Sequence, residues 1–135
     1  MKKTLLIITF MLFGIFGSIS AQTYTYKTTG FSMKQLTSYG WTDWSAWERS
    51  DMYMVINFDK DIVKIYSPEP QIYHILNYLG NYTDESGGRQ IKFNFIDQDN
   101  DRGTMRLRIE RNGNSQVYID FNNVMWVYNV VRINN

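Results

Sequence analysis

Trp41, Trp44 and Trp47 recur at every third position in GWTDWSAWE. That spacing fits neither the two-residue period of a strand nor a sustained helix. Indole rings carry large flat apolar faces, so the chemistry they offer is stacking, either on a protein core or on the flat face of a sugar-like ligand. With Tyr66, which ends an apolar run farther along, they form the expected ligand-binding set. A second constellation is Asp97, Asp99 and Asp101 in DQDNDRG, carboxylates at alternate positions as in an oxygen-rich calcium loop. The EF-hand pattern then fails at its sixth position, Arg102 in place of glycine, and at its twelfth, Arg108 in place of glutamate. The loop reads as a solvated turn; if calcium binds, those three aspartates are its ligands, and no other cofactor is expected.

Covalent and metal catalysis find few residues to use. The chain has one histidine, His74, and no cysteine. A zinc site needs several such ligands, and no serine sits in a strand-to-helix nucleophile elbow. His74 reads as a partly buried strand residue. Acids such as Asp43, Glu48 and Asp51 are numerous enough for the carboxylate pair of a glycan hydrolase, but no spacing singles out two of them. No catalytic residue is assigned.

The elements that must position these residues are strands. MYMVINFDKDIVKIYS, residues 52–67, holds two apolar runs around Asp59-Lys60-Asp61. Placing Phe58 opposite Val63 sets Ile56 on Ile65 and Met54 on Ser67, an antiparallel hairpin with one apolar face. Upstream, Tyr24 and Tyr26 alternate with threonines up to Gly30, after which residues 31–36 either continue the strand past a bend or form a separate one. Residues 70–79 fit a capped helix through Ile72, Ile75, Leu76 and Leu79, and also a strand buried on both sides; the strand is preferred because its surroundings are all strand.

Downstream the alternation is clean. Ile91, Phe93 and Phe95 share one face, as do Met105, Leu107 and Ile109. A three-residue loop at Asn112-Gly113-Asn114 pairs Ile109 with Val117 and, outside, Arg106 with Asp120. A two-residue turn at Asn122-Asn123 pairs Ile119 with Trp126 and Val117 with Tyr128. The fold class is therefore all-β: an antiparallel meander of about eight strands closed into a small barrel or sandwich.

Residues 1–21 show two lysines, an apolar run and small residues ending in Ala21, the layout of a cleaved prokaryotic signal peptide. Residues 22–135 then form a single β domain, periplasmic or secreted. The apolar run is too short and glycine-interrupted for a stable membrane anchor. Losing Lys2 and Lys3 from 14 basic residues against 13 acids leaves the domain near neutral, which provides no footprint for nucleic acid. Without cysteine, no disulfide framework supports it.

The tryptophan run resembles, over about eight residues, the layered tryptophans of thrombospondin type 1 repeats, without that family's cysteines. That resemblance implies arginines stacked between the rings, with Arg106 and Arg108 as the partners on one strand face. The Trp44 region, Ile65-Tyr66-Ser67, Gln71-x-Tyr73 and the closing Trp126-Val127-Tyr128-Asn129-Val130 together resemble small exported all-β proteins of unknown function from gut anaerobes. This likeness implies the fold and carries no catalytic residue. The functional expectation is a non-enzymatic binding or interaction module for a small apolar or sugar-like ligand, held in a cavity or open end near Trp41, Trp44, Trp47 and Tyr66. The alternatives are a glycan-acting hydrolase and a component that assembles through an edge strand. Nothing in the sequence sets an oligomeric state.

Overall fold

Alternating apolar and polar side chains can bury one face of a sheet only if that sheet meets another or curls onto itself. The computed structural model describes residues 23–112 and 114–133 and takes the second course; the signal-peptide stretch lies outside the described residues. Ten strands follow in order: β1 (Thr23–Thr37), β2 (Gly40–Trp41), β3 (Glu48–Arg49), β4 (Tyr53–Asn57), β5 (Ile62–Ile65), β6 (Gln71–Thr83), β7 (Arg89–Asp97), β8 (Arg102–Ile109), β9 (Asn114–Asp120) and β10 (Val124–Arg132). β1 and β4 to β10 run antiparallel in meander order, and β10 returns to pair with β1 from Tyr26↔Arg132 to Gln35↔Val124. Of the two closures the sequence allowed, the structure is the barrel. The short β2 and β3 pair with β1 outside this ring order.

Gly30 does not end the first strand. β1 runs for 15 residues, and a register irregularity between Thr28 and Gly30 absorbs the bend as it follows β10. Its first half pairs with β4, its second with the segment carrying β2 and β3. Thr28, buried in the wall, fastens this junction: its hydroxyl accepts the Met52 N–H at 2.8 Å and lies 2.8 Å from Ser50 Oγ.

The inward faces fill the barrel's middle. Met54, Ile56, Val63, Phe93, Phe95, Met105, Val117 and Ile119 have no exposed surface. Tyr73 and Phe121 pack edge-on to Phe95, with centroids 4.9 and 5.3 Å away. A small barrel with large inward residues is a packed core rather than a container.

Two hairpin registers differ from the expected ones, each by two residues. In β4–β5, Ile56 faces Val63 and Met54 faces Ile65. The turn starts one pair earlier because Asn57 Oδ1 accepts the Lys60 N–H at 3.0 Å and Asp61 takes the left-handed conformation, φ 54°. That frees Phe58 to pack on Tyr24 and Phe93. In β8–β9, Leu107 faces Val117 and Met105 faces Ile119, the turn closing where the Glu110 N–H meets Asn114 O at 2.9 Å. Arg106 now faces Tyr118, yet its long side chain still reaches Asp120 diagonally, at 2.9 Å. The β9–β10 hairpin has the expected pairs, Ile119↔Trp126 and Tyr128↔Val117.

The strand preferred for residues 70–79 is present and runs on to Thr83, but it is not buried on both sides. Leu76, Tyr78 and Leu79 are all about half exposed. β5 is only four residues long and covers β6 only from Gln71 to His74. Beyond Ile75, whose N–H donates to Asp61 O, β6 pairs on the β7 side alone, with two register irregularities.

Candidate functional site

Between β2 and β3 the chain keeps hold of β1 through single hydrogen bonds rather than a ladder. The Thr42 N–H donates to Gln35 O and the Ser45 N–H to Met33 O, both at 2.8 Å. Ser32 Oγ donates to Ser45 O at 2.6 Å, and Ser45 Oγ accepts the Met33 N–H at 3.0 Å. An irregular backbone of this kind turns side chains at a three-residue spacing toward one side. Trp44, which meets outward-facing Tyr118, thereby lies on the outer wall, while Trp41 pairs with Leu36 at the rim, just past the last β1–β10 pair, Gln35↔Val124.

There they form a ladder with other residues. Lys34 Nζ lies 5.6 Å from the Trp41 ring centroid and 4.8 Å from that of Trp44. Trp44 meets Tyr118 edge-to-face at 6.2 Å. The Arg106 guanidinium stacks 4.2 Å over Tyr118 and pairs with Asp120. The row beneath is in register: Ser32 faces Val127, Val127 faces Tyr118, and Tyr118 faces Arg106. Reaching from Lys34 to Tyr118, Trp44 crosses this row, which accounts for outward-facing Val127 being only 3% exposed. The cation between the tryptophans is Lys34 rather than an arginine. Two strands, β10 and β9, separate β8 from β1, so Arg106 reaches only as far as Tyr118.

Trp47 stands apart and is the most open of the three, 53% exposed. It lies against Gly30: a Cβ added there would sit 3.3 Å from both Trp47 Cε3 and Asn129 Nδ2. Glycine is what lets the indole come down onto the sheet. Beside it, Thr29, Arg108, Glu110, Asn114, Gln116 and Asn129 line an open groove of about 550 Å³. Its polar groups are already linked in a line. Tyr118 Oη donates to Gln116 Oε1 and Gln116 Nε2 to Asn129 Oδ1, both at 3.0 Å, and Arg108 Nη1 lies 3.4 Å from Glu110 Oε2. A flat exposed ring beside oriented amides, one guanidinium and one carboxylate can stack on a ring and hydrogen-bond its substituents at once.

Tyr66 lies on a different stretch of wall. Its N–H donates to Tyr53 O, and no ring contact joins it to a tryptophan among the described residues. Its neighbourhood is Tyr53, with Lys27 Nζ 5.8 Å from the ring; the Asp51 carboxylate, 3.1 Å from Lys27, raises the pKa of that lysine by hydrogen bonding to it. Asp97, Asp99 and Asp101 form a tight turn at one end of the barrel. Asp97 Oδ1 accepts the N–H groups of Asp99 and Asp101, each at 2.9 Å, and Asn100 is left-handed at φ 67°. Among the described residues no three metal-ligating side chains converge, these aspartates included. His74 is exposed on β6 rather than partly buried.

Sequence reasoning passed over Lys34, Gln116, Tyr118 and Asn129. Alternating with inward Val117 and Ile119, Gln116 and Tyr118 face outward, but only the β1–β10–β9 register places them beside the tryptophans. Compared with known protein families, curated proteins and solved structures, the chain matches none.

Proposed function

We propose that this chain is an exported, non-enzymatic carbohydrate-binding module whose ligand lies along the outer wall, stacked on Trp47 and hydrogen-bonded by the adjoining groove. The observation that carries this reading is the exposed indole packed over Gly30 next to Asn129, one of the amides that line the adjoining groove. A sugar ring has an apolar face and a rim of hydroxyls, each a donor and an acceptor. Indole answers the first, and Gln116 and Asn129, with both amide functions, answer the second. Near-neutral charge favours an uncharged glycan over a polyanion. Export rests on the signal-peptide pattern of residues 1–21.

Among the described residues lining the groove, Glu110 is the only acid, and it is paired with Arg108. A two-carboxylate hydrolysis has no second member there, which favours binding over turnover.

The test is titration calorimetry and tryptophan fluorescence against neutral oligosaccharides, with pull-down on insoluble polysaccharides. Trp47→Ala should weaken binding tenfold or more, about 1.4 kcal/mol, while Tyr66→Ala leaves it unchanged. A wild-type protein silent across the panel, or Trp47→Ala binding as tightly as wild type, would refute the reading.

A further inference from the structure

The end of the barrel where β1 begins, near turns 58–61 and 84–88, is not sealed as the middle is. Tyr24, Phe58, Tyr78 and Ile91 line a depression of about 270 Å³ there, with Asn81 and Arg89. Phe58 holds the rings together, with Tyr24 at 5.7 Å and Tyr78 at 6.1 Å between centroids. Two guanidiniums reach this end from inward-facing rows. Arg89 precedes Ile91 and Phe93 on β7, and its Nη2 donates to Asn81 Oδ1 at 3.3 Å. Arg132 follows Tyr128 and Val130 on β10 and lies 4.4 Å over the Tyr24 ring. Neither makes an ion pair with an acid among the described residues. Asp61, nearby, accepts the Tyr78 hydroxyl at 3.0 Å.

Tyr26, one inward step beyond Tyr24, is 1% exposed, and its hydroxyl has no hydrogen-bond partner among the described residues. Burial pushes its pKa up to about 12, while Arg132 and Arg89 pull it down, so the hydroxyl lies within the field of both. A buried donor without an acceptor is costly, and here it accompanies two cations that form no ion pair among the described residues. An anion entering between the rings would answer both.

We propose that this end of the barrel binds a small aryl carboxylate, its ring among Tyr24, Phe58 and Tyr78 and its carboxylate on Arg89 and Arg132, with the Tyr26 hydroxyl as a further donor. The volume falls below the 300 Å³ or so at which drug-sized sites begin, which limits the ligand to about one ring. The site faces inward, away from the outer-wall groove, and stands or falls independently of it.

Benzoate is the probe, with benzamide as its neutral isostere and octanoate as the alkyl carboxylate, titrated by calorimetry and by NMR. Benzoate should bind with a dissociation constant near or below about 1 mM, shifting Tyr24 and Tyr78 resonances and not the Trp47 indole. Benzamide should bind at least tenfold more weakly, octanoate more weakly than benzoate, and Arg89→Gln with Arg132→Gln should abolish binding. Tyr26→Phe should weaken benzoate severalfold while keeping or raising the melting temperature, since it deletes an unpaired buried hydroxyl; a residue needed only for folding would lower that temperature. Benzamide binding as tightly as benzoate, octanoate binding more tightly, undiminished binding by the arginine variant, or no response to about 10 mM benzoate would overturn the proposal.

Discussion

Thr28 is a small side chain with a large share of the wall's integrity. Its hydroxyl takes the Met52 N–H where β1 changes partners from β4 to the tryptophan segment. Thr28→Val keeps the shape and strands that N–H, so unfolding in urea should show a loss of about 1–3 kcal/mol. Gly103 is constrained by contact rather than by conformation: an added Cβ would sit 2.5 Å from Asp120 O and 2.6 Å from Phe95 Cζ. Gly103→Ala must push β9 or the core ring aside and should cost about 1–3 kcal/mol in the same measurement. The tyrosines set the alkaline limit. Burial raises the pKa of Tyr26 to about 12, and those of Tyr73, Tyr78 and Tyr128 are raised mainly by the same cause. A folded-state pKa above the ordinary 10.0 means their contribution is complete below that pH and is lost as pH rises through the folded-state value. The urea midpoint should therefore hold up to about pH 10 and fall steeply beyond it. Tyr26→Phe should soften that fall.

Hairpins expose the limits of local pattern. Alternation settles which face a residue takes, because a slip of one residue reverses every side chain. A slip of two reverses none, and both misplaced registers are slips of that kind. What chooses between them is turn chemistry: Asn57 capping Lys60 and left-handed Asp61 in one case, the Glu110–Asn114 bond in the other. At Asn122-Asn123 the two-residue turn leaves no slack, and the expected pairs are observed. The strand nature of residues 70–79 was likewise legible, from its neighbourhood, whereas its extension to Thr83 along β7 was not, and its one-sided burial follows from the shortness of β5. The tryptophans announced themselves by type and spacing; their companions Lys34, Tyr118 and Asn129 did not, since a ladder across β1, β10 and β9 depends on strands about 90 residues apart in the chain. The uncovered edge of β6 carries its own expectation. Hydrogen exchange followed by NMR should find amides of residues 77–83 that point away from β7 exchanging rapidly, while those of Met105 to Ile109, on a strand paired along both sides, exchange slowly.

For the molecule as a whole, one seam decides whether there is a barrel at all. Every other long strand pairs with a near neighbour in sequence, but β1 and β10 meet from opposite ends of the described chain. Removing β10 takes away Tyr128 and Val130 from the core and Val127 from beneath Trp44, and it leaves β1 and β9 each with an open side. A protein ending at Asn123 should accordingly show no cooperative urea transition by circular dichroism. The Ile133 N–H donates to Thr25 O at 3.0 Å, so the end of the last strand lies beside the start of the first. A few glycines linking residue 133 to residue 23 would make the polypeptide covalently cyclic, and a new start and finish could be cut at residues 84–88. Such a circular permutant should reach the same architecture with the old seam now an ordinary loop, because a ring has no privileged beginning.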